Sequence, residues 1–292
     1  MPTTSPPTYH LETVAPVTRT RAPVLCLPGL FAGGWVFERL LPLLAARGHV
    51  ASAFSGRGHP PLAERPDIGR QSVADFAQDA IDAARTLGRP IVIGHSLGGL
   101  LALLLAQADV VRAVILLSPA PPRGINVLSP PILARMAAYL PALLFSQPFL
   151  PSDAHLDALV LNRVPVELRA AIRARFVPDS GRAARDIALG VPVPAAAIRV
   201  PMLVVASEHD RFIPMGTSRR VAAKFGATLH VASGHGHFLL SEPGWEEQAA
   251  VILDWIDALP QSAGDVSASG SSENLAAAGG IPAAGTHRSS PE

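Results

Sequence analysis

Short, uninterrupted apolar runs alternate along this chain with segments of helical period, from about residue 23 to about residue 260. The runs near 23–28, 49–54, 90–94, 111–117, 201–206 and 227–231 are too short for helices, and most are rich in Val, Ile and Leu. Continuous burial of that kind is what a parallel strand covered on both faces shows. Between the runs, helices are predicted near 35–47, 72–87, 96–107, 215–225 and 245–259. In the second of these, Val73, Phe76, Ala80, Ile81, Ala84 and Leu87 recur at helical spacing behind Ser72, a residue type that caps helix N-termini. Pro214, just ahead of the 215–225 segment, suits a first helical position, where a missing N–H would have no partner in any case. Residues 9–19 read as an antiparallel edge strand or hairpin. The alternation predicts an α/β fold, with a mostly parallel central sheet and helices on both faces.

The alternation breaks between 118 and 200, where prolines are frequent and no run reads as a buried strand. Residues 132–145, 167–176 and 179–189 read as helices in that stretch. The predicted organisation is an N-terminal segment and edge strand (1–22), a core in two pieces (23–118 and 199–260), and a helical cap (119–198) inserted above the sheet. Met136, Tyr139, Leu140, Leu143, Leu144, Phe145, Phe149 and Leu150 make the cap strongly apolar, as its own core and as the lining of a pocket for an apolar group. Residues 261–292, rich in Ser, Ala and Gly, lack the large apolar side chains needed to offset ordering and read as a disordered tail.

Composition narrows the classes of function. Of 292 residues, 49% are hydrophobic and 16% charged, enough to bury one large core. The formal net charge is +1 and there is no basic stripe, which argues against nucleic acid as a partner. The most apolar region, 98–117, is interrupted by Gln107, Asp109 and Arg112, so it reads as a helix and a strand rather than a membrane span. Residues 1–20 lack the basic start and apolar run of a secretion signal, and a cytoplasmic location is expected. Cys26 is the only cysteine, which excludes an intrachain disulfide; inside a buried strand its thiol reads as inert.

The chemistry concentrates at Gly94-His95-Ser96-Leu97-Gly98, between the strand-like Pro90-Ile91-Val92-Ile93 and a helix-like run from Gly99. On a sharp strand-to-helix turn a serine is forced into an exposed, strained position. Glycines two residues to either side are needed because side chains there would meet the neighbouring strand and helix. That context makes Ser96 a candidate nucleophile. A serine hydroxyl needs a base to take its proton and an acid to orient the base. The strand near 201–206 ends in Ser207-Glu208-His209-Asp210, and a carboxylate at the mouth of a parallel strand lies on the same sheet edge as Ser96. Asp210 is the candidate acid and Glu208 its competitor. The last strand opens into Gly234-His235-Gly236-His237-Phe238, a glycine-rich loop without a period that would bury a histidine, so both histidines are candidate bases.

With these elements in the order nucleophile, acid, base, the chain resembles the α/β-hydrolase fold superfamily over roughly residues 20 to 260. Relatives of this kind commonly place the catalytic histidine five residues before a Glu and six before a Pro, so Glu242-Pro243 implies His237 rather than His235. The resemblance also implies an oxyanion hole from the backbone N–H groups of Leu30, in Pro28-Gly29-Leu30-Phe31, and of Leu97. Two departures stand out. Pro28 replaces a histidine that often braces this loop, and Ser55 stands where an Asp is usual and carries no catalytic role. His95, common in relatives, reads as structural.

The resemblance implies a cofactor-independent serine hydrolase acting on a small-molecule ester or thioester with an apolar acyl group, through a Ser96-His237-Asp210 triad and an acyl-enzyme. No metal or organic cofactor is implied. Ser96 excludes the aspartate nucleophile of epoxide hydrolases and dehalogenases in the same superfamily. A same-triad acyltransferase, perhydrolase or lyase, and a non-catalytic ligand-binding member of the fold, are the alternatives.

Overall fold

A computed structural model describes residues 8–19, 21–126 and 130–260. The strands in chain order are β1 (Tyr9–Val14), β2 (Val24–Leu27), β3 (Ala51–Gly56), β4 (Ile91–His95), β5 (Ala113–Leu117), the two-residue β6 (Pro148–Phe149) and β7 (Asp179–Ser180), β8 (Met202–Ser207) and β9 (Thr228–Ala232). Seven of them form one sheet in the order β1-β3-β2-β4-β5-β8-β9. Only β1 runs antiparallel, pairing with β3 from Tyr9↔Gly56 to Val14↔Ala51. The six predicted parallel strands are all present, each within two residues of its expected bounds, and the 9–19 segment supplies an edge strand over Tyr9–Val14 only.

Helices cover both faces. They are α1 (Leu41–Ala46), α2 (Val73–Leu87), α3 (Leu97–Gln107), α4 (Pro130–Met136), α5 (Leu140–Phe145), the single turn α6 (Asp153–His155), α7 (Val166–Arg173), α8 (Gly181–Leu189), α9 (Met215–Phe225) and α10 (Trp245–Asp257). Ile91 and Ile93 of β4 face one way, into a core shared with Leu41 and Leu44 of α1 and Ile252 and Ile256 of α10. Val92 faces the other way, against Phe76 of α2, Leu100 and Leu103 of α3 and Val221 of α9. Burial on both faces is why the central strands β2, β4, β5 and β8 carry no polar alternation. Ser72 caps α2 as predicted: its Oγ accepts the Asp75 N–H at 3.2 Å while the Asp75 carboxylate accepts the Ser72 N–H at 2.7 Å.

Three details depart from the sequence reading. The helix expected over 35–47 is a 3-10 turn, Gly34–Phe37, followed by α1, because Pro42 offers no N–H for a continuous ladder and starts a new helix instead. Pro141 divides the 132–145 segment in the same way, into α4 and α5. Pro214 sits one position earlier than predicted, as the cap of α9, where its carbonyl accepts the Thr217 N–H at 2.7 Å.

The chain between β5 and β8 is largely helical, but it also contains the antiparallel pair β6–β7, which has no counterpart in the sequence reading. Two-residue strands are too short to leave a hydrophobic pattern. The tail expected at 261–292 lies outside the described residues. Among those residues, no helix is long and apolar enough to cross a membrane.

Candidate active site

The sequence places Ser96 between β4 and α3, and the backbone there takes φ 53° and ψ −117°. For a residue with a Cβ this conformation costs about 1–3 kcal/mol, so neighbouring structure must hold it. It does so from both sides: the Ser96 N–H donates to Leu117 O at 3.0 Å, and Ser96 O accepts from Ala120 N at 2.9 Å. A Cβ at Gly94 would collide with the Gly98 carbonyl, and one at Gly98 with the Leu27 carbonyl, so the flanking glycines are sterically required.

Asp210 follows the end of β8, and its carboxylate is fully committed. Oδ1 accepts the Phe212 and Ile213 N–H groups, each at 2.8 Å, and Oδ2 lies 2.8 Å from His237 Nδ1. Because a carboxylate accepts, Nδ1 carries the proton and donates a hydrogen bond to Asp210, which leaves Nε2 as the basic nitrogen. Both side chains are nearly inaccessible, at 3% and 0% exposure.

The other two candidates lie elsewhere. Glu208 is half exposed and accepts the Gly234 N–H at 2.9 Å. His235 is buried beside Glu242, its Nδ1 3.3 Å from Oε2. Glu242 also takes the N–H groups of Gly236, at 2.6 Å, and Phe238, at 3.2 Å, and so clamps the backbone on both sides of His237.

His95 donates its Nε2–H to the His237 carbonyl at 2.8 Å, and the two rings stand 4.7 Å apart. Burial, and then the nearby His237, pull the His95 pKa down to about 3, so its ring is neutral at ordinary pH. Burial pushes the Cys26 thiol above its ordinary value, in line with an inert side chain.

Ser96, Leu97, Leu30 and His237 share one cavity of about 440 Å³. Its remaining walls come largely from the insertion, including Ile132, Leu159 and Ile187. Of the eight apolar insertion residues picked out above, Met136, Tyr139, Leu140, Leu143 and Phe149 line this cavity. Leu144, Phe145 and Leu150 do not; they are exposed, which corrects their assignment to core or lining. Among the described residues, no group of three or more His, Cys, Asp or Glu is arranged to hold a metal ion.

Several supporting residues carried no sequence signal. Asn162 Nδ2 donates to His209 O at 3.0 Å and Arg163 Nε to Gly234 O at 2.8 Å, tying the insertion to the loops that carry Asp210 and His237. Ser55, the second departure noted above, accepts the Gly34 N–H at 2.9 Å and anchors the loop after β2. Such contacts join positions far apart in sequence, so no local pattern announces them.

Comparison with known proteins agrees with this architecture. The model of the alpha/beta hydrolase family matches residues 24–251. The chain is 30% identical over 264 residues to a monoacylglycerol lipase of Mycolicibacterium smegmatis, covering 82% of this chain and 90% of that protein. It is 27% identical over 267 residues to a pyrethroid hydrolase of Sphingobium wenxiniae, covering 80% and 88%. Among solved structures it is similar to Paleococcus ferrophilus monoacylglycerol lipase, with TM-score 0.66, 24% identity and coverage of 85% of this chain and 98% of that one. A thermophilic esterase from Thermogutta terrifontis gives TM-score 0.66 at 19% identity, with coverage of 85% and 93%. At those identities the two structures speak for the fold; the family match and the sequence relatives carry further, and the chain belongs to the alpha/beta hydrolase family, as an enzyme of that fold.

Proposed function

We propose that this enzyme is a cofactor-independent serine hydrolase that cleaves a carboxylic ester or thioester with an apolar acyl group. Ser96 is the nucleophile, His237 the base and Asp210 the acid that orients it. The observation that carries the reading is the buried His237–Asp210 pair at 2.8 Å, which opens onto the same cavity as a serine held at positive φ. Ser96 Oγ attacks the acyl carbonyl carbon as His237 Nε2 takes the hydroxyl proton. The oxyanion is met by the Leu30 and Leu97 N–H groups, each worth about 2.7–4 kcal/mol by analogy with measured oxyanion donors. Collapse of the intermediate expels the alkoxide or thiolate, which receives the proton from His237 and leaves an acyl-Ser96. Water, deprotonated by His237, then releases the acid.

Residues 119–198 act as a helical cap whose inner face holds the acyl chain. The apolar lining favours a medium-length chain, and a monoacylglycerol falls within this class, in keeping with the name of one sequence relative. The test is covalent: a fluorophosphonate should add one equivalent of mass to the wild type and none to Ser96→Ala. A well-folded wild type that gains no adduct overturns the assignment.

A further inference from the structure

The loop that carries Leu30 lacks the bracing histidine that Pro28 replaces, and it is held instead from the far side of the cavity. Phe31, directly after Leu30, has φ 69°, in the left-handed region that side chains other than glycine rarely adopt. Its N–H donates to Asp179 Oδ2 at 2.8 Å, and its carbonyl accepts the Val177 N–H at 3.0 Å. Both partners belong to the insertion. Asp179 Oδ1 accepts the Ser180 N–H at 2.7 Å, and His59 Nε2 stands 3.2 Å from Oδ2. The Asp179 and His59 side chains are 2% and 4% exposed.

His59 Nδ1 faces the Arg57 carbonyl at 3.1 Å, and a carbonyl only accepts, so Nδ1 carries a proton. Its other nitrogen, Nε2, lies at ion-pair distance from the Asp179 carboxylate. Burial lowers the His59 pKa, but the charge and contact of Asp179 outweigh it and hold the imidazole above its ordinary value.

We infer that Asp179 and His59 form a buried clamp that positions the oxyanion loop, so that docking of the insertion is a condition for transition-state stabilisation and not only for substrate binding. The inference rests on the assignment of Leu30 to the oxyanion hole. By taking the Phe31 N–H, Asp179 fixes the peptide plane immediately after Leu30. The charge is required. The Phe31 and Ser180 N–H groups each take one carboxylate oxygen, with His59 at ion-pair distance from Oδ2, and an asparagine would turn its own NH₂ toward a backbone N–H in either orientation. Neither residue is assigned a contact with substrate; both act through the loop.

The experiment measures steady-state hydrolysis of p-nitrophenyl butyrate and inhibition by butylboronic acid for the full-length wild type, Asp179→Asn, His59→Leu and His59→Gln. Boron accepts Ser96 Oγ to form a tetrahedral anion, the serine proton passing to His237, so this inhibitor reads the oxyanion site directly. In Asp179→Asn and His59→Leu, kcat should fall about 10- to 100-fold with KM within about threefold, and boronate affinity should weaken in proportion. His59→Gln retains an N–H donor toward Asp179 and should restore kcat to within about fivefold of the wild type. Folded variants with kcat and boronate affinity within about twofold of wild type, or a rise in KM alone, overturn the clamp. If Asp179→Asn fails to fold, the two His59 variants decide the matter by the same criteria. A wild type that neither hydrolyses the ester nor reacts with a fluorophosphonate removes the Ser96 reading and this inference with it; a reactive wild type with unaffected variants removes this inference alone.

Discussion

Two histidines lie two residues apart in one loop, and only one of them faces the cavity, so paired substitution tests the site sharply. His237→Asn and His235→Asn each keep a donor near the position of the ring Nδ1 and remove the rest of the imidazole. In His237→Asn, Asp210 Oδ1 retains its Phe212 and Ile213 donors and the new Nδ2 takes the place of Nδ1 at Oδ2, so no buried carboxylate oxygen is left unsatisfied and the trimmed ring should cost about 1–2 kcal/mol of stability. The basic Nε2 is gone, however. General-base catalysis alone is worth about 10²- to 10⁴-fold, and triad members that act as a unit reach about 10⁶-fold in kcat. A fall in kcat/KM of about 10³- to 10⁶-fold follows, or about 4–8 kcal/mol of transition-state stabilisation. In His235→Asn, Glu242 keeps the Gly236 and Phe238 N–H groups that frame His237. Losing most of a buried ring should cost about 1–2 kcal/mol in stability, while kcat/KM stays within about tenfold. Ester hydrolysis with urea unfolding of the same preparations gives both quantities. Near-total loss of activity in His235→Asn beside a mild effect in His237→Asn would refute the assignment.

If the insertion holds the acyl chain, medium-chain p-nitrophenyl esters should exceed the acetate in kcat/KM, and Ala184→Phe, which adds a ring to the cavity wall, should move the optimum toward shorter chains; a chain-length profile unmoved by the substitution would place the acyl group elsewhere. His95 is held neutral, with a folded pKa of about 3 against an ordinary 6.5, so its contribution is complete above pH 6.5 and is lost as pH falls toward 3. Between pH 7 and pH 5 the wild type should lose about 2 kcal/mol more unfolding free energy than His95→Gln, measured by urea denaturation at both values, and parallel pH profiles would refute the argument.

What could be read in advance was local. The central strands β2, β4, β5 and β8 are covered on both faces, so each announces itself as an apolar run such as Ile91-Val92-Ile93, and its position needs no knowledge of its neighbours. The turn at Ser96 was legible for a related reason, since the two glycines that permit it lie within two residues of the serine. Asp210 was legible because the ends of parallel strands share one edge of the sheet. The helix breaks at Pro42 and Pro141 are local as well, since each proline lacks the N–H that a continuous ladder needs, whatever the apolar period around it.

Only the tertiary structure decided which apolar insertion residues face the cavity and which face outward. Leu143 and Leu144 are adjacent and chemically identical, yet one is buried against the cavity and the other is 62% exposed. In short helices packed on an irregular surface, periodicity fixes a face only after the neighbour is known. Likewise, nothing near Asp179 in the sequence points to Phe31, which is 148 positions away. A buried carboxylate persists only where the fold brings compensating partners to it, and here the Phe31 and Ser180 N–H groups and the His59 ring come from three separate stretches of chain. The sequence therefore carries the groups proposed to do the chemistry, and the folded arrangement supplies the contacts that hold them in place.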